Sequence, residues 1–111
     1  MDYQRLTSPE ALDAAFADSH GKTVIVFKHS LTCPVSTAAL REYERFLEQD
    51  PAVGATLIEI QPNRPLSNAV ATRTGVRHES PQALVLRDGA VAWHASHWDI
   101  TAASLAAAVK D

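Results

Sequence analysis

"TVIVFKHSLTCPVS", Thr23 to Ser36, decides how this chain folds. Its first five residues form a short, nearly continuous β-branched run, the pattern of a strand buried on both faces. A helix follows from about Pro34 to Glu48, with Val35, Ala39, Tyr43, Phe46 and Leu47 as its inner stripe. Proline is tolerated in the first turn of a helix, so Pro34 marks the start. The junction between strand and helix therefore falls on Cys33, the only cysteine in the sequence. A helix start carries free backbone N–H groups and the positive end of the helix dipole, so it favours an anion. A thiolate is stabilised there, and the thiolate is the reactive form of cysteine. Thr32, Pro34, Ser36 and Lys28 are read as its supports. Lys28 and His29 add positive potential, and Ser36, one turn on, can donate a hydrogen bond to the sulfur. A lone cysteine can also be a small buried hydrophobe, but the strand–Cys–Pro–helix context favours a reactive thiol.

Working outward, Ser8 before Pro9 and Glu10 caps an earlier helix. Leu12, Ala15 and Phe16 lie on its inner face, and Gly21 fits its stop. "ATLIEI", Ala55 to Ile60, is a second strand. A loop with Pro62 and Pro65 leads to Ser67, a cap for a helix ending at Gly75. In "QALVLRDGAVAWHAS", Asp88-Gly89 is a two-residue type I′ turn between two apolar runs, hence a hairpin. Thr101 opens an Ala-rich last helix with Leu105 and Val109 facing inward. The order is α-β-α-β-α-β-β-α. A strand, a crossover helix and a second strand imply a parallel pair, and the hairpin adds antiparallel strands. This is the thioredoxin-like order: a central mixed four-stranded sheet with helices on both faces.

The whole chain of 111 residues is one domain of this kind, 1–111. A formal net charge of -3 argues against a nucleic-acid binder, which needs a basic field. One cysteine makes no internal disulfide, so no oxidising compartment is implied. "MDYQRLTSPEALDAAF" has no basic segment followed by an apolar run, and no stretch approaches the length of a membrane span. A cytoplasmic monomer without membrane contact is the expectation.

Other residues converge on the cysteine end of the sheet. Ser80-Pro81 enters the first hairpin strand, where proline is tolerated in trans or cis. With Asp88-Gly89 as the loop, Arg87 faces Ala90 and counting outward sets Pro81 opposite Ser96. "SHWD", Ser96 to Asp99, then returns beside Pro81 and forms a candidate wall for a small thiol. Trp98 can stack on such a ligand and His97 can hydrogen-bond it; the alternative is a loop whose Trp98 is tucked into the core. Arg64 follows the second strand and can pair with a ligand carboxylate, or be a solvated loop residue. His94, His97 and Cys33 lack any compact ligand motif, so no metal is expected.

"KHSLTCPVS", "RPLSNAVATRTGV", "HESPQALVLRDG" and "WHASHWDIT" together resemble the YtxJ-type monothiol bacilliredoxins over nearly the whole chain from Thr23. Val35 replaces an expected isoleucine. The resemblance implies a thioredoxin-like fold, Cys33 as the active cysteine, and Pro81 as a cis proline in a groove with Ser80. It also implies bacillithiol as co-substrate, with no tightly bound cofactor, and S-thiolated client proteins as partners. In a Cys-x-x-Cys pair the second thiol resolves the mixed disulfide; Ser36 cannot, so an external thiol must finish the cycle. The competing expectation is a non-enzymatic binding or redox-sensing module of the same fold.

Overall fold

The computed structural model describes residues 3–110. In chain order the elements are β1 (Gln4–Arg5), α1 (Pro9–Asp18), β2 (Val24–His29), α2 (Pro34–Gln49), β3 (Gly54–Glu59), α3 (Arg64–Thr74), β4 (Gln82–Arg87), β5 (Ala90–Ser96) and α4 (Ala102–Lys110), with single 3₁₀ turns at Gln61–Asn63 and His97–Asp99. The sheet runs β1-β3-β2-β4-β5. β1 and β2 are parallel to β3, β4 is antiparallel to β2, and β5 is antiparallel to β4.

β2 lies at the centre and all six of its residues are buried. Ile25 and Phe27 face one core, with Tyr43, Phe46 and Leu47 of α2 and Leu105 and Ala108 of α4. Val24 and Val26 face the other, with Leu12 and Phe16 of α1 and Leu66 and Val70 of α3. Each such side chain contributes roughly 1.5–3 kcal/mol on burial, so the β-branched run dictates the register of its neighbours. Phe27 stacks on Tyr43, with ring centroids 5.0 Å apart. The buried Tyr43 hydroxyl donates to Thr56 O at 3.0 Å, so its polar end is satisfied.

The expected four-stranded sheet has a fifth strand. β1 is two exposed residues, too short to display a period, and pairs Gln4 with Thr56 and Arg5 with Leu57. Ser8 caps α1 as expected, accepting from Ala11 N at 3.1 Å. α1 ends at Asp18, before Gly21, because Ser19 closes it: its hydroxyl donates to Phe16 O at 2.6 Å and accepts from Gly89 N at 2.8 Å. α3 begins four residues earlier than expected, with Asn63 rather than Ser67 at its cap and Pro65 in its first turn, so Ser67 lies inside the helix and is buried. Gly75 ends it in the left-handed region at φ 73°.

Asp88 and Gly89 both have positive φ, 53° and 79°, as the type I′ turn requires. The ladder then slips. Val85 pairs with Trp93 but Leu86 pairs with Val91, which leaves Ala92 as an extra residue. The slip sets Gln82, not Pro81, opposite Ser96. Pro81 instead faces His97, whose N–H donates to Pro81 O at 3.2 Å. Thr101 and Ser104 form a reciprocal cap on α4, and Glu42 Oε1 accepts from Ala102 N at 2.9 Å. No helix among the described residues is long and apolar enough to cross a membrane.

Candidate active site

Cys33 is the N-cap of α2, with extended backbone (φ -105°, ψ 120°) and Pro34 following it. Its carbonyl accepts the first helical bond, from Thr37 N at 3.1 Å. Its thiol is free and half-buried, and it makes no capping hydrogen bond. The connection Ser30–Thr32 is held from two sides. Gln61, just past β3, accepts from Leu31 N at 3.0 Å through Oε1. Its amide nitrogen donates to Ser30 Oγ at 3.0 Å and, more weakly, to Thr32 Oγ1 at 3.4 Å. From α2, Ser36 Oγ accepts from Ser30 N at 2.9 Å and lies 2.7 Å from His29 Nδ1.

The expected hydrogen bond from Ser36 to the sulfur is absent. Ser36 is fully buried and heads the stripe Ser36, Ala39, Tyr43, Phe46 and Leu47; the expected Val35 is only half-buried. With the His29 ring proton assigned to Nε2, the Ser36 hydroxyl donates to Nδ1 while accepting from Ser30. Its proton is then committed, and none is left for Cys33. Lys28 departs from expectation too. Strand alternation turns it onto the face shared with Val24 and Val26, away from α2. There its ammonium lies 3.1 Å from His78 Nδ1.

Ser80–Pro81 is cis, as expected, and Pro81 is buried. Trp98 is 71% exposed, so the core reading of this residue is wrong. With His97 it lines a cavity of about 260 Å³ against Ala38, Ala39 and Glu42 of α2. Ser96 is half-buried at the end of β5. Arg64 is exposed at the first position of α3 and lies near His78, whose proton affinity it lowers. Arg64 thus stands beside His78 and the start of α3, while Trp98 and His97 stand against α2, and the cavity that Trp98 and His97 line does not include Arg64. Among the described residues, no group of three His, Cys, Asp or Glu side chains is placed to hold a metal ion.

The profile of the monothiol bacilliredoxin BrxC family matches residues 4–105. The chain belongs to the monothiol bacilliredoxin family. A solved protein with a thioredoxin fold is similar to it at 35% identity and TM-score 0.88, over 96% of this chain and 92% of the other. Chloroplastic thioredoxin z (22% identity, TM-score 0.76, 99% and 93% coverage) and Trypanosoma brucei brucei thioredoxin (14%, 0.79, 99% and 93%) share the fold. As a bacilliredoxin of thioredoxin fold, the protein has a thiol–disulfide redox role.

Four residues escape the sequence reading, one holding the loop before the bacilliredoxin cysteine and three on the opposite face of the sheet. Gln61 acts across 30 positions of chain, and no local pattern signals that contact. His78, Ser67 and Gln82 gather on Lys28's face, where Ser67 Oγ lies 3.2 Å from His78 Nδ1. One signal is available: a Lys continuing a buried strand points to an unusual polar neighbour.

Burial lowers the proton affinity of both His29 and His78. For His29, Glu59 opposes and Arg5 reinforces the effect; for His78, Lys28 and Arg64 reinforce it and Glu79 opposes. The unfolded chain therefore binds protons first, near the ordinary histidine value of about 6.5. Stability from these rings is complete above that value and declines as pH falls through the lower folded values. The urea midpoint should drop between neutral pH and pH of about 5. His29→Gln and His78→Asn together should flatten that drop. A drop of equal size in the double variant would assign it to other groups.

Proposed function

We propose that this protein removes bacillithiol from S-thiolated proteins by thiol–disulfide exchange at Cys33. The carrying observation is a solitary thiol at a helix N-cap, with the position one turn on filled by a serine whose hydroxyl is committed to His29 and Ser30. The Cys33 thiolate attacks the bacillithiol sulfur of the client's mixed disulfide. The client sulfur leaves with the bond's electron pair, as a thiolate that takes a proton from solvent. Cys33 now carries bacillithiol in a new disulfide. A second, external thiolate attacks the bacillithiol sulfur, and Cys33 departs as thiolate. The external thiol and the bacillithiol end in one disulfide for each client restored, so the electrons balance.

In this reading Pro81 and Ser80 border the groove that takes the client, and Trp98, His97 and Ser96 border the small thiol. Trp98 supports such a role because a large aromatic side chain left in solvent contributes nothing to the core. Arg64, at the start of α3, offers a guanidinium to a carboxylate of the small thiol. Bacillithiol is a co-substrate and no resident cofactor takes part. The protein works as a cytoplasmic monomer on S-thiolated client proteins. Following bacillithiol release from a model S-thiolated protein, with and without added reducing thiol, tests this reading; absence of release in both cases would leave a binding or sensing module.

A further inference from the structure

Lys28 is fully buried in β2, yet no acidic side chain pairs with it among the described residues. Burial lowers its pKa to about 8, with no compensating anion. An uncompensated buried charge is destabilising, so it is retained where it does something an apolar residue cannot. Its partner is His78 Nδ1, at 3.1 Å. His78 is also within reach of Ser67 Oγ in α3, at 3.2 Å. Gln82 stands directly opposite Lys28 in the β2–β4 ladder and is 1% exposed. Its Nε2 donates to Arg77 O at 2.9 Å, while its Oε1 is buried with no partner. Opposed residues of an antiparallel ladder share one face, with Cβ atoms about 5 Å apart. An ammonium has three protons and Lys28 uses one of them on His78, so two remain on the face that also carries the unpartnered Gln82 Oε1.

These contacts have one target. Gln82 Nε2 closes the segment Arg77–Gln82 at its base, and Lys28 holds His78 near its start. The segment contains Pro81, whose carbonyl accepts from His97 N at 3.2 Å beside Trp98. We propose that Lys28 is a positioning residue. Its ammonium anchors His78, and thereby fixes the Arg77–Gln82 segment as the rail against which a client protein is held. The client half of this inference rests on the reading in the preceding subsection; the anchoring half does not. Lys28 acts from the sheet face opposite α2, so it governs engagement of the client and leaves the intrinsic reactivity of Cys33 unchanged.

Three variants test this: Lys28→Met, His78→Ala and His78→Asn. Methionine matches the lysine stem in volume and removes the buried charge, so Lys28→Met should denature at or above the wild-type temperature. Asparagine places an acceptor oxygen near the Nδ1 position, so His78→Asn should keep the anchor. Trypsin cleavage after the exposed Arg77 reads the segment directly. Lys28→Met and His78→Ala should be cut about fivefold faster than wild type, the size of one lost hydrogen bond, and His78→Asn at the wild-type rate. In bacillithiol removal from a thiolated model protein, the first two should raise KM by about the same factor. Their kcat and their rate of Cys33 alkylation by iodoacetamide should stay at the wild-type values. Wild-type cleavage rates in Lys28→Met and His78→Ala would overturn the anchor. Faster cleavage with unchanged KM would overturn the client role. Complete absence of bacillithiol removal in wild type would strike the preceding reading alone, with the cleavage rates still deciding the anchor.

Discussion

Cys33→Ser is expected to abolish bacillithiol removal and, at the same time, to raise the melting temperature. The loss is chemical: no other sulfur nucleophile than Cys33 exists at the site, since the chain has one cysteine. A serine hydroxyl does not form the mixed disulfide that the exchange requires. The gain is structural. Cys33 is the N-cap of a 16-residue helix but makes no capping hydrogen bond. Serine is among the preferred N-cap residues, because its oxygen accepts a first-turn N–H. Installing that bond should contribute about 0.5–1 kcal/mol, which at this chain size corresponds to a rise of roughly 2–8 °C. The thiol therefore sits where it costs stability and supplies reactivity. Calorimetry and the release assay on the same sample check both halves. A Cys33→Ser protein that still releases bacillithiol, or that melts well below wild type, contradicts this account of the position.

Ser36→Cys should change the chemical outcome. Residues at the N-cap and three positions later are neighbours on one turn, within the span a disulfide bridges. After Cys33 has taken bacillithiol, the thiolate introduced at position 36 attacks the Cys33 sulfur, an internal disulfide forms, and bacillithiol leaves as free thiol. The wild-type product, Cys33 carrying bacillithiol, should not accumulate. The reduced variant should be less stable than wild type by about 1–3 kcal/mol, because Ser30 N–H and His29 Nδ1 lose their shared oxygen. Intact-mass spectra distinguish the outcomes: loss of two hydrogens and no adduct is expected. A persistent adduct at Cys33 beside a free second thiol would show that the inward-facing position is beyond reach of the sulfur.

The parts of this fold that are legible in the sequence are those where local chemistry leaves one choice. "TVIVF" is apolar on both faces, Pro34 admits only a first helical turn, and Asp88-Gly89 suits two successive positive φ values. Those signals place Cys33 at the strand–helix junction and fix a mixed sheet. Legibility fails where two residues have no period to show, as in β1, or where one extra small residue slips a ladder, as at Ala92. The start of α3 is ambiguous because Pro65 suits a loop and a first helical turn equally well. At the site, distance along the chain assigns Ser36 to the sulfur. Its helical spacing from Ala39 and Tyr43 places it instead on the inward stripe, and the stripe wins. Lys28 reads as the end of the strand because charge is rarely buried; the strand continues through it, and the charge meets His78 on the opposite face.

The central claim is that one cysteine suffices for a single exchange and no more. It is tested by mixing the reduced protein with excess S-bacillithiolated model protein in the absence of any other thiol. Client thiol released and the mass of the bacilliredoxin are followed together. A burst of one client thiol per protein chain is expected, with one bacillithiol adduct at Cys33, then a halt; adding an external thiol should restart release. Sustained release without external thiol, or no adduct at Cys33 during the burst, would contradict it.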